Sequence, residues 1–194
     1  MRLFALLFSA LLIQACAFTD ATLSIAHDEN ANFTGPIEDL DSITFSNPDI
    51  SDARTDQLRV GWKKNGYGQN TADILSDRPV TEILSQGLIA GLQQNGIEVG
   101  SDGDVEIIGS VDTFWLETDM NFWTIEFTGD VQCTLKFLEP ETGNELYSSN
   151  YTGSYSVKKG AGSKGTWEEV ISKALDNVIT NVMYDEDLVE ALSN

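Results

Sequence analysis

An enzyme needs a nucleophile, a base or a metal at one convergent site, and this chain offers few groups that could serve. It holds one histidine, His27, and two cysteines, Cys16 and Cys133. His27 lies in a polar N-terminal stretch, so a histidine-based triad would have to recruit it from outside any regular element. No G-x-S-x-G, H-E-x-x-H, P-loop or C-x-x-C spacing occurs. In Val131-Gln132-Cys133-Thr134-Leu135 the thiol falls on the apolar side of an alternating run, which reads as a buried small hydrophobe rather than a nucleophile. Asp102-Gly103-Asp104-Val105-Glu106 offers oxygen ligands but lacks the length and the distal Glu of a twelve-residue calcium loop; it reads as a turn entering a strand. The expectation is a protein that is not an enzyme and carries no metal and no cofactor.

Binding chemistry has more material. Lys158, Lys159 and Lys164 sit in Lys-Lys-Gly-Ala-Gly-Ser-Lys-Gly, a glycine-rich stretch leading into a helix whose expected cap is Thr166, with Glu169 three residues on completing a capping box. Free N–H groups and partial positive charge at a helix N-terminus could hold an anionic glycan, a lipid phosphate or a carboxylate there; the same stretch also reads as a solvated connection. Asp52, Arg54 and Asp56 alternate as ligands pointing one way would, and equally as a salt-bridge or turn network orienting the link between two strands. Trp115, Phe122 and Trp123 flank an expected turn at Glu117–Asn121. Exposed together they would form an apolar tip for a partner protein, and as core residues, the reading preferred, they need no such role.

Charge narrows the partners. The 194 residues carry 11 Lys and Arg against 31 Asp and Glu, a formal net charge of −20. A phosphate backbone repels such a surface, which argues against nucleic acid. Met1-Arg2, the apolar run Leu3 to Ile13 and Gln14-Ala15 form a signal peptide: eleven helical residues span roughly 16 Å, too short for a ~30 Å hydrocarbon core. Two cleavage sites compete. Ile13-Gln14-Ala15-Cys16 resembles the bacterial lipobox, which would make Cys16 the lipidated N-terminus, whereas Ala15-Cys16-Ala17 reads as an ordinary site cut before Phe18. Lipidation is the reading taken, and Ala17 after the Cys then points to the outer membrane. Removing residues 1–15 leaves 10 basic against 31 acidic residues, a net of −21.

The elements that must position these residues follow from periodicity. Residues 16–36 read as lipidated N-terminus and flexible tether, and 37–194 as one α+β domain. Ile43–Phe45 and Leu58–Trp62 are expected strands separated by a polar turn segment, Asn47 to Asp56. A helix is expected from Asp77-Arg78-Pro79, with an acidic cap, to Asn95-Gly96; Gly87 and Gly91 on one face suggest close approach to a sheet. Val105–Leu116 is strand with a change of phase near Phe114, as a bulge would make. From Trp123 to Phe137 apolar residues recur at every second position, the mark of a sheet with one buried and one wet face. Pro140–Asn144 turns this strand into a long hairpin, and Val170 to Val182 carries the apolar stripe of a last main helix, with a short one capped by Asp185 behind it. The fold class is α+β: an antiparallel or mixed sheet with a long C-terminal hairpin and two main helices packed on one face.

The order and spacing of Asp52-Ala53-Arg54-Thr55-Asp56, Val60-Gly61, Asn65-Gly66-Tyr67-Gly68 and Ser76-Asp77-Arg78 resemble the YajG-type lipoproteins of Gram-negative bacteria. The resemblance covers essentially the whole mature domain, and implies a lipid-anchored outer-membrane protein facing the periplasm, in a family without established enzymatic activity. It also marks Asp52, Arg54, Asp56 and Asn65 as a polar cluster. The function expected is non-enzymatic binding or scaffolding of an envelope protein or glycan; the alternative is a small-ligand, glycan or anion-binding module using Lys158–Gly165.

Overall fold

The strict alternation of the C-terminal half builds three of the longest strands in the molecule, and the rest of the fold is arranged on them. The computed structural model describes residues 18–121 and 123–193; the expected signal peptide, Cys16 and Phe122 lie outside the described residues. In chain order the strands are β1 (Ala21–Leu23), β2 (Phe45–Ser46), β3 (Asp49–Asp52), β4 (Arg59–Lys64), β5 (Asn70–Ser76), β6 (Val99–Gly100), β7 (Glu106–Met120), β8 (Ile125–Leu138) and β9 (Glu145–Lys159). The helices are α1 (Val80–Gln94), α2 (Lys164–Met183) and α3 (Glu186–Ser193).

The main sheet is mixed, with order β1-β5-β4-β7-β8-β9, and β3 also pairs with β7. β7, β8 and β9 form an antiparallel meander. At about 3.3 Å per residue β7 runs roughly 50 Å, longer than any strand beside it on its other edge. That edge is therefore shared: β3 lies parallel to Ile108–Val111 and β4 meets it at Leu116. The sheet class and the helical layer on one face agree with expectation, and the ladder slips between Val111 and Thr113, two residues before the expected bulge.

Three expectations about strands and tether give way. The polar segment read as a turn contains β3, and Asn70–Ser76 forms β5 where no strand was expected; β5 buries fully only Ile74 and Ser76, and β3 buries none, so neither shows a period of its own, and both are held by pairing. Residues 18–36 are not a free tether. β1 joins the sheet parallel to β5, and Leu23, Ile25 and Phe33 are fully buried. Helix side chains satisfy the backbone there: Glu168 accepts from the Ser24 N–H, Gln94 from Phe33 and Asn95 from Gly35. Single apolar residues scattered through a polar run carry too little pattern to reveal this packing.

The helix termini also differ. α1 is capped by Pro79, without a side-chain bond from Asp77, and Gly87 and Gly91 face Ile179 and Met183 of α2 rather than the sheet. At the start of α2 the Ser163 Oγ accepts the Thr166 N–H at 3.2 Å, so the cap is Ser163 and the helix begins three residues before the expected box. α2 lies directly on β8 and β9. A Cβ on Gly153 would stand 2.2 Å from the Ala174 carbonyl oxygen, a contact only glycine permits. Asp185 caps α3 as expected, its Oδ1 accepting from Leu188 N–H, while Oδ2 accepts from the Tyr147 and Tyr151 hydroxyls at 2.9 and 2.6 Å.

Candidate functional site

The polar cluster Asp52-Arg54-Asp56 fills the gap between β3 and β4 on the shared edge of β7. Arg54 donates from Nε and Nη2 to the two oxygens of Asp52 at 2.9 and 2.8 Å, in a planar fork that suits a carboxylate. Its remaining hydrogens go to the carbonyls of Gln57, Arg59 and Phe114. The Phe114 carbonyl lies on β7 between the stretches covered by β3 and β4. The guanidinium thus stands where a paired strand would otherwise donate. Asp56 turns away to Arg59 at 2.8 Å, and Arg59 reaches Asp73 at 3.1 Å. Asn65 is not part of this cluster: it lies the length of β4 away, where its Oδ1 accepts the N–H groups of Tyr67 and Gln69 and shapes the β4–β5 turn.

The lysine loop is short. β9 runs through Lys159 and α2 starts at Lys164, leaving only residues 160–163 between them. Lys158 pairs with Glu126 across the ladder and Lys164 with Glu168 one turn on, both at 3.5 Å; Lys159 and the Thr166 backbone complete the stretch, and Thr166 N–H is already taken by Ser163. Beside this loop a cavity of about 260 Å³ is lined by Thr118, Met120, Ile125, Phe127, Gly162 and Trp167 among others. It is mainly apolar, and the indole N–H of Trp167 is buried there without a hydrogen-bond partner.

What the topology assembles at this end of the sheet is larger than either motif. The β4–β5 turn, the β7–β8 turn and the β9–α2 loop lie at the same end, as the ladder partners Lys64↔Asn70, Gly61↔Leu116, Met120↔Ile125 and Ile125↔Lys159 require, and β1, parallel to β5 with Ala21 beside Ile74, runs away from that end, so the residues before it lead toward it. Phe18, Tyr67 and Trp123 project from three of these pieces at 67, 92 and 83% exposure, the highest of the large apolar side chains among the described residues. Trp123 is therefore not core. Trp115 is half-buried, with its ring edge-on to Trp62 at 4.8 Å and its N–H on Glu117. Lys63 and Lys64 belong to the same end: Lys63 Nζ donates to the Thr19 carbonyl at 2.7 Å, and Lys64 pairs with Glu117 and donates to the Thr118 carbonyl. Burial pushes the Glu117 carboxyl up, but the bonds from Lys64 and Trp115 and the Lys64 charge hold it below the ordinary carboxylate range.

Among the described residues no three His, Cys, Asp or Glu side chains stand together as metal ligands. His27 packs edge-on to the Phe33 ring with centroids 6.4 Å apart. Burial pushes the Cys133 thiol up to about 12, so it stays protonated. Sequence reasoning found Trp123 and the lysine loop but missed Phe18, Tyr67, Lys63 and Lys64, because four separate segments make this end and no linear motif records their meeting.

These features define an α+β domain, and comparison with known proteins gives its family. The family model described as "Uncharacterized lipoprotein" matches residues 49–193, and the chain belongs to that family. Its location is accordingly a membrane-anchored one in the envelope. No curated protein matches its sequence significantly. Among solved structures it is similar to protein XCC0632 from Xanthomonas campestris, with a TM-score of 0.59 at 12% identity over 90% of this chain and 96% of that one. A minor lipoprotein from Acinetobacter baumannii aligns at 15% identity and a TM-score of 0.40 over 77% of this chain and 90% of that one. At these identities the first supports the fold alone, and the second carries no argument.

Proposed function

We propose that this is a non-enzymatic lipoprotein, anchored through Cys16 to the periplasmic face of the outer membrane, whose domain binds an envelope component through its aromatic end. The Cys16 anchor rests on the lipobox-like Ile13-Gln14-Ala15-Cys16, and membership of the YajG type on the order of its polar motifs. The observation that carries the binding reading is the convergence of Phe18, Tyr67 and Trp123, largely exposed, at one end of the sheet. A surface that keeps three large apolar side chains in water gains free energy when something covers them. The test is crosslinking in cells from a photoreactive residue placed at 67, at 123 or, as a control on the opposite end, at 102. Adducts from 67 and 123 but not from 102 support the reading; equal or no adducts from all three oppose it. A second reading, a small ligand or anion held beside Lys158–Gly165, is favoured by the cavity under Gly162 with its unpartnered Trp167 N–H. Salt-sensitive binding of peptidoglycan or lipopolysaccharide that is lost when Lys158, Lys159 and Lys164 become Gln would favour it.

A further inference from the structure

The aromatic end also concentrates the positive charge of an acidic protein. Lys63, Lys64, Lys158, Lys159 and Lys164 are five of the ten basic residues that follow Cys16. Facing them are Asp20, Glu117, Asp119, Glu126 and Glu168, with Glu169 slightly further along α2. This end is therefore close to neutral. The rest of the surface carries nearly the whole net charge, and the opposite end is densely acidic: Glu139, Glu141 and Glu145 around the β8–β9 turn, and Glu186, Asp187 and Glu190 on α3. Screening within about 8–10 Å lets the two ends behave separately at physiological salt.

The chain's own anchor points the same way. The Thr19 carbonyl is held by Lys63 at 2.7 Å, and Phe18 is 67% exposed beside it. Cys16 is two positions before Phe18 in the sequence, so chain length alone keeps the two backbones within about 7 Å. Because β1 starts at Ala21 rather than after a long tether, the domain has little freedom to turn this face away from the surface that holds its N-terminus.

Resting on the reading that this end is the binding face, we infer that its occupant is the phospholipid surface itself, with Phe18, Tyr67 and Trp123 seated at the headgroup level and the charge-balanced lysines beside them. Aromatic rings beside lysines are the side chains that favour that interface. The acidic opposite end is repelled from the same surface, which orients the domain upright. A lipid-anchored domain held this way gains orientation as well as attachment.

The test uses the exported, processed protein reconstituted in vesicles of phosphatidylcholine with phosphatidylglycerol, and of phosphatidylcholine alone, each carrying brominated acyl chains. Tryptophan quenching should appear in both vesicle types, because an end close to neutral is seated by its aromatic side chains and needs no anionic lipid. W123F should remove most of it, and the double variant K158Q/K159Q, which leaves this end net acidic, should weaken the association of the tip with the phosphatidylglycerol vesicles about tenfold, on the basis of roughly a few-fold per lysine near an anionic surface. Both changes lie in exposed turns or at a strand end, and circular dichroism checks the fold. Absence of quenching in both vesicle types, with residues 67 and 123 trapping a protein in cells, overturns the lipid occupant and leaves the binding face standing. Absence of quenching with no adduct at all overturns both.

Discussion

Replacing Arg54 by Leu separates a structural role for the polar cluster from a ligand role. The Arg54 side chain is 10% exposed and its partner Asp52 5%, so the substitution leaves a buried carboxylate without its counter-ion and frees three carbonyls, of Gln57, Arg59 and Phe114. Breaking a buried pair by removing one partner costs about 3–5 kcal/mol. For a domain of this size, where 1 kcal/mol moves Tm by roughly 2–4 °C, a fall of about 10 °C follows. The double change Asp52→Asn with Arg54→Leu removes the stranded charge and should recover more than half of that loss. Urea unfolding and thermal melts of the parent, the single and the double variant form the assay. A single variant within about 1 kcal/mol of the parent, or a double variant less stable than the single, refutes the account of Arg54 as the group that closes the gap on β7.

Three further outcomes follow from the packing. Gly153→Ala places a Cβ 2.2 Å from the Ala174 carbonyl oxygen, so α2 must lift and stability should fall by about 1–3 kcal/mol or more in urea titrations. Cys133→Ser buries a hydroxyl in an apolar site and should cost about 1–3 kcal/mol, while the native thiol, only 1% exposed, should resist labelling until the protein unfolds. Asp176 is held above its ordinary value mainly by burial, helped by the nearby Asp28 charge; the folded state therefore binds a proton more tightly than the unfolded chain, and stability contributed by this group rises as pH falls through its folded value. Asp176→Asn keeps an oxygen for the Asp28 N–H and should stabilise the protein at neutral pH, an advantage that shrinks toward the ordinary carboxylate value and that pH-dependent melts would read.

Periodicity carried what one element can say about itself. The alternation read from Trp123 to Phe137 specified β8 and its buried face except at Trp123, which precedes the strand and is exposed; the stripe from Val170 to Val182 specified α2, and Cys133 could be placed in the core without coordinates, because the side chains of one segment share a face by backbone geometry alone. Tertiary structure decided everything that depends on a partner segment. β3 and β5 exist because β7, β4 and β1 supply ladder bonds; Arg54 acts on the Phe114 carbonyl, 60 residues away in the chain; and Gly87 meets α2 rather than a sheet. The aromatic and cationic end is the same case. Phe18, Lys64, Tyr67, Trp123 and Lys159 lie in four segments with no common spacing, and only the shared direction in which β1, β4 and β7 to β9 terminate brings them to one surface.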